Sequence, residues 1–175
     1  MHPRLVVSNR DPLVATARKV EIPPEEQAAI SETILSVTAG VDSRDFDRVL
    51  SAFADTVIMD RTSFPGGMVV TLSAEDIVAH FRSFMPGFDL TEHLVVNHEV
   101  VSINPLRAHV LAEFAAIHRI GDKCWALGGH NEFVLIRSGT RWLIAFMKIV
   151  IQWEAGDRDL AQTARARVAE AREAD

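Results

Sequence analysis

The sequence contains no tyrosine and a single cysteine, Cys124. One cysteine excludes an intrachain disulfide and any metal cage built on several thiolates. It suits a reducing compartment, so a cytoplasmic location is expected. No apolar run comes near the roughly 20 residues that a membrane helix needs. The opening "MHPRLVVSNRDP" breaks its apolar clusters with charge and does not read as a leader. With 18 Lys and Arg against 24 Asp and Glu, no basic patch stands out, which argues against nucleic acid as a partner. Internal repeats and low-complexity linkers are also missing.

What is present fits one soluble domain. The chain has 175 residues, of which 48% are apolar, enough to bury a sizeable core. Residues 1–22 hold no sustained period and read as an N-terminal arm. Pro23-Pro24 suits a helix start, and Ile30, Ile34, Val37 and Val41 recur at helical spacing, with Gly40 as the expected terminator. Ser43 is the expected cap of a second, shorter helix carrying Phe46, Val49, Leu50 and Phe53. "TVIMD" (56–60) predicts a strand, "RTSFPGG" (61–67) a turn, and "MVVT" a second strand. Ser73 and Asp76 resemble a capping box for a third helix bearing Ile77, Phe81, Phe84 and Met85, which Pro86-Gly87 stops.

The period then changes from helical to alternating. Four long strands are predicted at about 91–103, 107–120, 124–137 and 141–153, joined by breaks short enough for antiparallel hairpins. The tail from Asp157 predicts a surface helix over 157–175. Helices followed by a long meander indicate an α+β domain, residues 23–156, in which a curved, largely antiparallel sheet wraps the three N-terminal helices and leaves an internal pocket.

Histidine is the chemistry-bearing residue type that this pattern places inside. In "LTEHLVVNHEV" (90–100), His93 and His98 are five apart and fall on opposite faces of an unbroken strand, so at most one shares a pocket with the helices unless a bulge intervenes. In the following strand Val110, Ala112, Phe114, Ala116 and His118 share one face, and His118 is its only polar member. A buried histidine can be structural, with one nitrogen on a carbonyl and the other on a water. A carboxylate that meets the imidazole changes that reading, and Asp42, where the chain turns between the first two helices, is the leading candidate; its alternative role is helix capping.

The segments "GVDSRDFDRVLSAFADTVIMD", "FDLTEHLVVNHEV", "AAIHRI" and "RWLIAFMKIVIQWEAGD" together resemble the SnoaL-like, scytalone dehydratase-like branch of the nuclear transport factor 2-like superfamily, over roughly residues 25–160. The resemblance implies a cone-shaped fold. It also implies a catalytic pair of Asp42, in the "VDSRD" position, with His93, in the "T-x-H" position. His118 matches a further catalytic histidine of scytalone dehydratase, and Asn131 in "GGHNEF" falls among its polar pocket residues. Asp60 approximates the base of the ketosteroid isomerase relatives. The chain departs from scytalone dehydratase in lacking the tyrosines that hold a water at the leaving hydroxyl; Val41 and Arg61 stand near those places. Arg61 and Lys148 are candidates for the positive charge that the dehydrochlorinase relatives carry.

The chemistry expected of this set is a dehydratase-type elimination without metal or organic cofactor. A carboxylate on one imidazole nitrogen fixes the tautomer and leaves the other as a general base for a moderately acidic C–H. Protonated His118, Asn131, Arg61 and Lys148 are candidate donors to developing negative charge, and His118 can instead protonate a departing hydroxyl. Phe114 and the aliphatic lining suit a small hydrophobic, cyclic substrate. Two readings stand beside this one: a non-catalytic ligand-binding or dimerisation domain, and an isomerase or cyclase with Asp60 as base. His130 and Glu132 form an H-x-E pair that can be drawn as a metal site with His93 or His118, although no metal is expected. Trp125, Trp142 and Trp153 read as packing residues, and His98 and His109 as facing away from the pocket. A homo-oligomer, dimer or trimer, is expected because relatives cover their exposed sheet surface with another subunit.

Overall fold

The computed structural model describes residues 21–174; the expected N-terminal arm therefore lies almost wholly outside the described residues. The helices are α1 (Pro24–Ser43), α2 (Phe46–Ala52), α3 (Ala74–Arg82) and α4 (Leu160–Ala174). The strands are β1 (Phe53–Asp60), β2 (Val69–Ser73), β3 (Leu90–Asn104), β4 (Arg107–Ile120), β5 (Lys123–Ser138) and β6 (Arg141–Gly156). They form one six-stranded sheet in the order β2-β1-β6-β5-β4-β3. Only the β1–β6 pairing is parallel, so the sheet is mixed. This is the α+β cone expected.

Bulges bend the sheet into its curve. Register shifts lie between Gly128 and Gly129 and between Val134 and Leu135 against β6, and between Val96 and Glu99 in β3. Each extra residue increases local twist and bends its strand over the helices. The concave face then meets α1, whose Ile30, Ile34, Val37 and Val41 are buried at the predicted spacing. Val110, Leu135 and Ile144 close the same core from the sheet side.

The helix ends differ from expectation in instructive ways. Gly40 does not end α1, which runs on to Ser43 and stops at Arg44 in the left-handed conformation (φ 63°). Gly40 is instead where α2 packs closest: a Cβ there would lie 2.7 Å from Val49 Cγ2 and 2.8 Å from the Asp45 carbonyl oxygen. Asp45, not Ser43, caps α2 by accepting the Arg48 N–H at 3.0 Å, while the Ser43 hydroxyl donates back to the Ala39 carbonyl. Ser73 does cap α3, accepting from the Asp76 N–H. That helix ends at Arg82, before Pro86-Gly87, which form a separate 3₁₀ turn with Met85.

The tail is more than a surface helix. Leu160 and Ala164 of α4 are buried, and the helix seats against the Met85–Gly87 turn so closely that a Cβ on Gly87 would fall 2.0 Å from the Ala164 carbonyl oxygen. No helix among the described residues is long and apolar enough to cross a membrane.

Candidate active site

Between the concave face of the sheet, α1, α3 and α4 lies a cavity of about 400 Å³, the size of a small-molecule site. Its walls are mainly apolar, with Ile34, Val37 and Val41 from α1, Phe81 from α3, and Phe114, Leu127 and Phe133 from the sheet. His93, His118 and Asn131 are set among them.

Register brings the histidines together. Thr91 pairs with His118 and His118 with Trp125 across three neighbouring strands, while His93 sits one pleat along, opposite Ala116. The two imidazoles meet edge to face with centroids 5.1 Å apart. Asp42, in the last turn of α1, points at them rather than capping the helix. Its Oδ1 lies 2.6 Å from His93 Nδ1 and accepts the Thr91 hydroxyl at 2.9 Å; its Oδ2 accepts the His93 backbone N–H at 2.8 Å. Burial alone would raise the Asp42 pKa, but the bonds from His93 and Thr91 outweigh it and hold the carboxyl below its usual value.

Arg44 completes the group. Its guanidinium donates to the Thr91 hydroxyl at 2.8 Å and to the Val41 carbonyl at 2.6 Å. A left-handed arginine costs on the order of 1 kcal/mol or more, and here that conformation accompanies the side chain's return onto Val41 and Thr91. The result is an Arg44–Thr91–Asp42–His93 relay that fixes one ring nitrogen of His93. The His93 Nε2 has no partner among the described residues.

His118 is 3% exposed, stacked on Trp125 at 4.7 Å and flanked by Phe88 at 4.9 Å. Burial and the neighbouring His93 push its pKa down to about 4, so it is neutral at pH 7. This corrects the expectation of a protonated His118. Its Nδ1 and the Oδ1 of Asn131 are buried without a hydrogen-bond partner. Buried polar atoms are rarely left so in native proteins, and both residues line the cavity.

The remaining candidates divide by strand parity. Met59 and Arg61 flank Asp60 and line the cavity, whereas Asp60 and Lys148 do not. They pair at 3.3 Å on adjacent strands, and Asp60 also accepts the Thr62 N–H and hydroxyl, which hold its pKa down. As pocket contacts, Asp60 and Lys148 are therefore corrected. Arg61 and Phe114 do line the cavity.

The H-x-E pair lies away from His93 and His118. His130 and Glu132 alternate with inward Asn131, and Glu132 bonds His109 Nε2 at 2.8 Å. Among the described residues no three His, Cys, Asp or Glu side chains cluster as metal ligands do. A bulge in which Asn97 adopts φ 54° interrupts β3 before His98, which lies outside the cavity, as expected.

Sequence reading missed several members of the site. Thr91 shares the strand face of His93, two residues apart, and "T-x-H" itself carried that signal. His80 falls three residues after buried Ile77 of α3, so helical periodicity could have found it. Arg165 carried no local signal, because its role depends on where α4 docks.

Comparisons with known proteins give the family and the fold. The model of the SnoaL-like domain matches residues 24–148. A solved protein of Kribbella flavida is 22% identical, with a TM-score of 0.72 over 79% of this chain and 97% of that one. A scytalone dehydratase-like protein of Novosphingobium aromaticivorans is 15% identical, with a TM-score of 0.65 over 77% and 89%. The type 3 hexachlorocyclohexane dehydrochlorinase of Novosphingobium barchaimii is 14% identical, with a TM-score of 0.61 over 77% and 91%. No curated protein matches the chain at a significant level. The family match spans most of the cone and includes Asp42, His93 and His118; the chain belongs to the SnoaL-like family of the nuclear transport factor 2-like superfamily.

Proposed function

We propose that the chain is a cofactor-independent lyase that eliminates water from a small, hydrophobic, cyclic molecule, with Asp42 and His93 as its working pair. The observation that carries this reading is the 2.6 Å contact from Asp42 to His93 Nδ1, with the cavity on the other side of the ring. Asp42 accepts the Nδ1–H and so leaves the Nε2 lone pair for a substrate C–H next to a carbonyl. As that C–H breaks, its electron pair forms the C=C bond and the β-hydroxyl departs. The proton taken up by His93 Nε2 is the one available to the leaving oxygen, which departs as water. Neutral His118 can hold that oxygen with an N–H, and the Asn131 amide can bond the carbonyl as negative charge grows on it. His118 thus acts as a hydrogen-bond donor here, not a cationic acid.

The Asp60-based isomerase or cyclase has less support, since Asp60 is bonded to Thr62 and Lys148 and does not line the cavity. A binding role without turnover would use the same cavity. We further propose a homo-oligomer, dimer or trimer. Leu94, Val96, Ile117 and Trp153, all exposed, give the outer sheet face an apolar character that a second copy would cover. A cytoplasmic location fits the lone, exposed, unbridged Cys124.

A screen of cyclic β-hydroxy ketones, followed by the absorbance of the conjugated product, tests the lyase. His93→Ala should abolish turnover with the fold intact by circular dichroism, and Asp60→Ala should leave it unchanged. Turnover that survives His93→Ala removes this mechanism.

A further inference from the structure

A second polar group lines the cavity away from the dyad. Arg61, the first residue after β1, points inward and is half-buried. Among the described residues its side-chain partner is the ring of His80, with Nη1 3.2 Å from Nε2. An arginine only donates, so His80 Nε2 must be the acceptor and the ring neutral. Consistent with this, burial and the charges of Arg61 and Arg165 push the His80 pKa down to about 4. Arg165 reaches the same wall from α4, its guanidinium 4.6 Å over the Phe84 ring and donating to the Ser83 hydroxyl at 2.8 Å.

Neither guanidinium has a carboxylate within ion-pairing distance among the described residues. Four other arginines do: Arg82 with Asp47, Arg137 with Glu26, Arg158 with Glu154, and Arg167 with Asp89. The chain carries 24 acidic residues against 18 basic ones, so carboxylates are not scarce. Half-buried Arg61 and exposed Arg165 face one largely apolar cavity, where the two cations repel each other and Arg61 loses hydration unless an anion sits with them. The neutral His80 adds no third charge, and its acceptor nitrogen orients Arg61 instead of neutralising it.

We propose that Arg61 and Arg165 clamp a carboxylate of the ligand, so that the substrate is a cyclic carboxylic acid, its ring lying along the apolar wall toward His93 and His118. Planar guanidinium groups suit a carboxylate, which each can bond through two parallel N–H donors. The rings of His80, Phe84, Phe88 and His118 form a continuous series with steps of 5.2, 6.2 and 4.9 Å. That series of packed rings runs from the partner of Arg61 to the histidine beside the dyad. The inference rests on the cavity being the substrate site, as the proposed function has it, but not on the reaction.

Calorimetric titration of the full chain with naphthoate, neutral naphthamide and naphthyl phosphate tests it. Naphthoate should bind at least tenfold tighter than the amide and more weakly as salt rises. Arg165→Gln, at an exposed position, and Arg61→Met should each reduce that affinity tenfold or more with the fold retained, and Arg141→Gln, an exposed arginine outside the cavity, should leave it unchanged. Equal binding of acid and amide, or naphthoate affinity indifferent to Arg165→Gln, overturns the clamp. Tighter binding of the phosphate than of the carboxylate overturns the ligand class. Carboxylate binding without turnover of any hydroxy acid would leave the clamp standing and count against the lyase alone.

Discussion

The Asp42 carboxylate holds His93 at two points: Oδ1 lies 2.6 Å from the ring Nδ1, and Oδ2 accepts the residue's own backbone N–H at 2.8 Å. One acid thus sets the position of the strand and the tautomer of the ring together. Loss of Asp42 should therefore affect both stability and catalysis, in proportions that separate the two roles. Asp42→Asn keeps the shape but places an amide NH₂ against one of the donors. Turnover should fall by about 10²- to 10⁴-fold, with a stability loss of about 1–3 kcal/mol from the unmatched donor, read by urea unfolding.

Thr91 is the link between Arg44 and Asp42. Thr91→Val preserves volume and removes the hydroxyl, leaving the Arg44 guanidinium one acceptor short and Asp42 one donor short. A stability loss of about 1–2 kcal/mol is expected, with kcat reduced and KM little changed, because Thr91 is not among the residues lining the cavity. Steady-state kinetics beside a denaturation curve separate these effects.

Acid should weaken the fold through His118, and also through His80, whose pKa is likewise pushed down to about 4. The folded His118 pKa of about 4 lies below the ordinary 6.5, so between those values the unfolded chain binds a proton that the folded chain refuses. This contribution to stability is complete above about pH 6.5 and is lost as pH falls toward 4, by roughly 3 kcal/mol for a shift of this size. Asp42, whose pKa is lowered, acts in the same direction only below about pH 4. His118→Phe should make the decline of the denaturation midpoint between about pH 6.5 and pH 4 shallower, the remainder belonging to His80; an unchanged decline would mean that His118 is hydrated and charged in the native state.

Gly87 sets the seat of α4. A Cβ at this position would meet the Ala164 carbonyl oxygen at 2.0 Å, a backbone atom that cannot step aside alone. Gly87→Ala should displace α4, cost about 1–3 kcal/mol, and weaken naphthoate binding, since Ala161 and Arg165 form part of the wall. Hydrogen exchange would show the loss of protection concentrated in residues 160–174.

The outer sheet face carries Ile117 at 38% and Trp153 at 48% exposure. If a second copy covers it, Ile117→Lys and Trp153→Lys should shift sedimentation toward the monomer without changing the circular dichroism spectrum. A wild-type chain that sediments as a monomer would oppose the oligomer.

Sequence alone revealed the order of elements and the inward face of β4, because strict alternation from Val110 to His118 leaves one reading of that strand. The pairing of Asp42 with His93 was suggested by family resemblance rather than by spacing, since nothing local says which carboxylate a strand histidine will meet. His98 lies outside the cavity as expected, but the strand is not unbroken: a bulge at a left-handed asparagine, Asn97, shifts strand parity without a glycine to announce it. Gly40 looked like a stop and is a contact for α2, a distinction that exists only in the packed state. Arg165 was equally hidden, being one of several charges on a tail whose docking depends on Leu160, Ala164 and Gly87.

The most direct test of the central claim is the two-bond ¹H–¹⁵N spectrum of the histidine rings, recorded for the wild type and Asp42→Asn near neutral pH. The account predicts a His93 ring with the proton fixed on Nδ1 and a bare Nε2 whenever the ring is neutral. In the variant that preference should give way to the Nε2–H form, as expected when an amide replaces the orienting carboxylate. His93 signals that are the same in both proteins would contradict it, leaving the base without its partner.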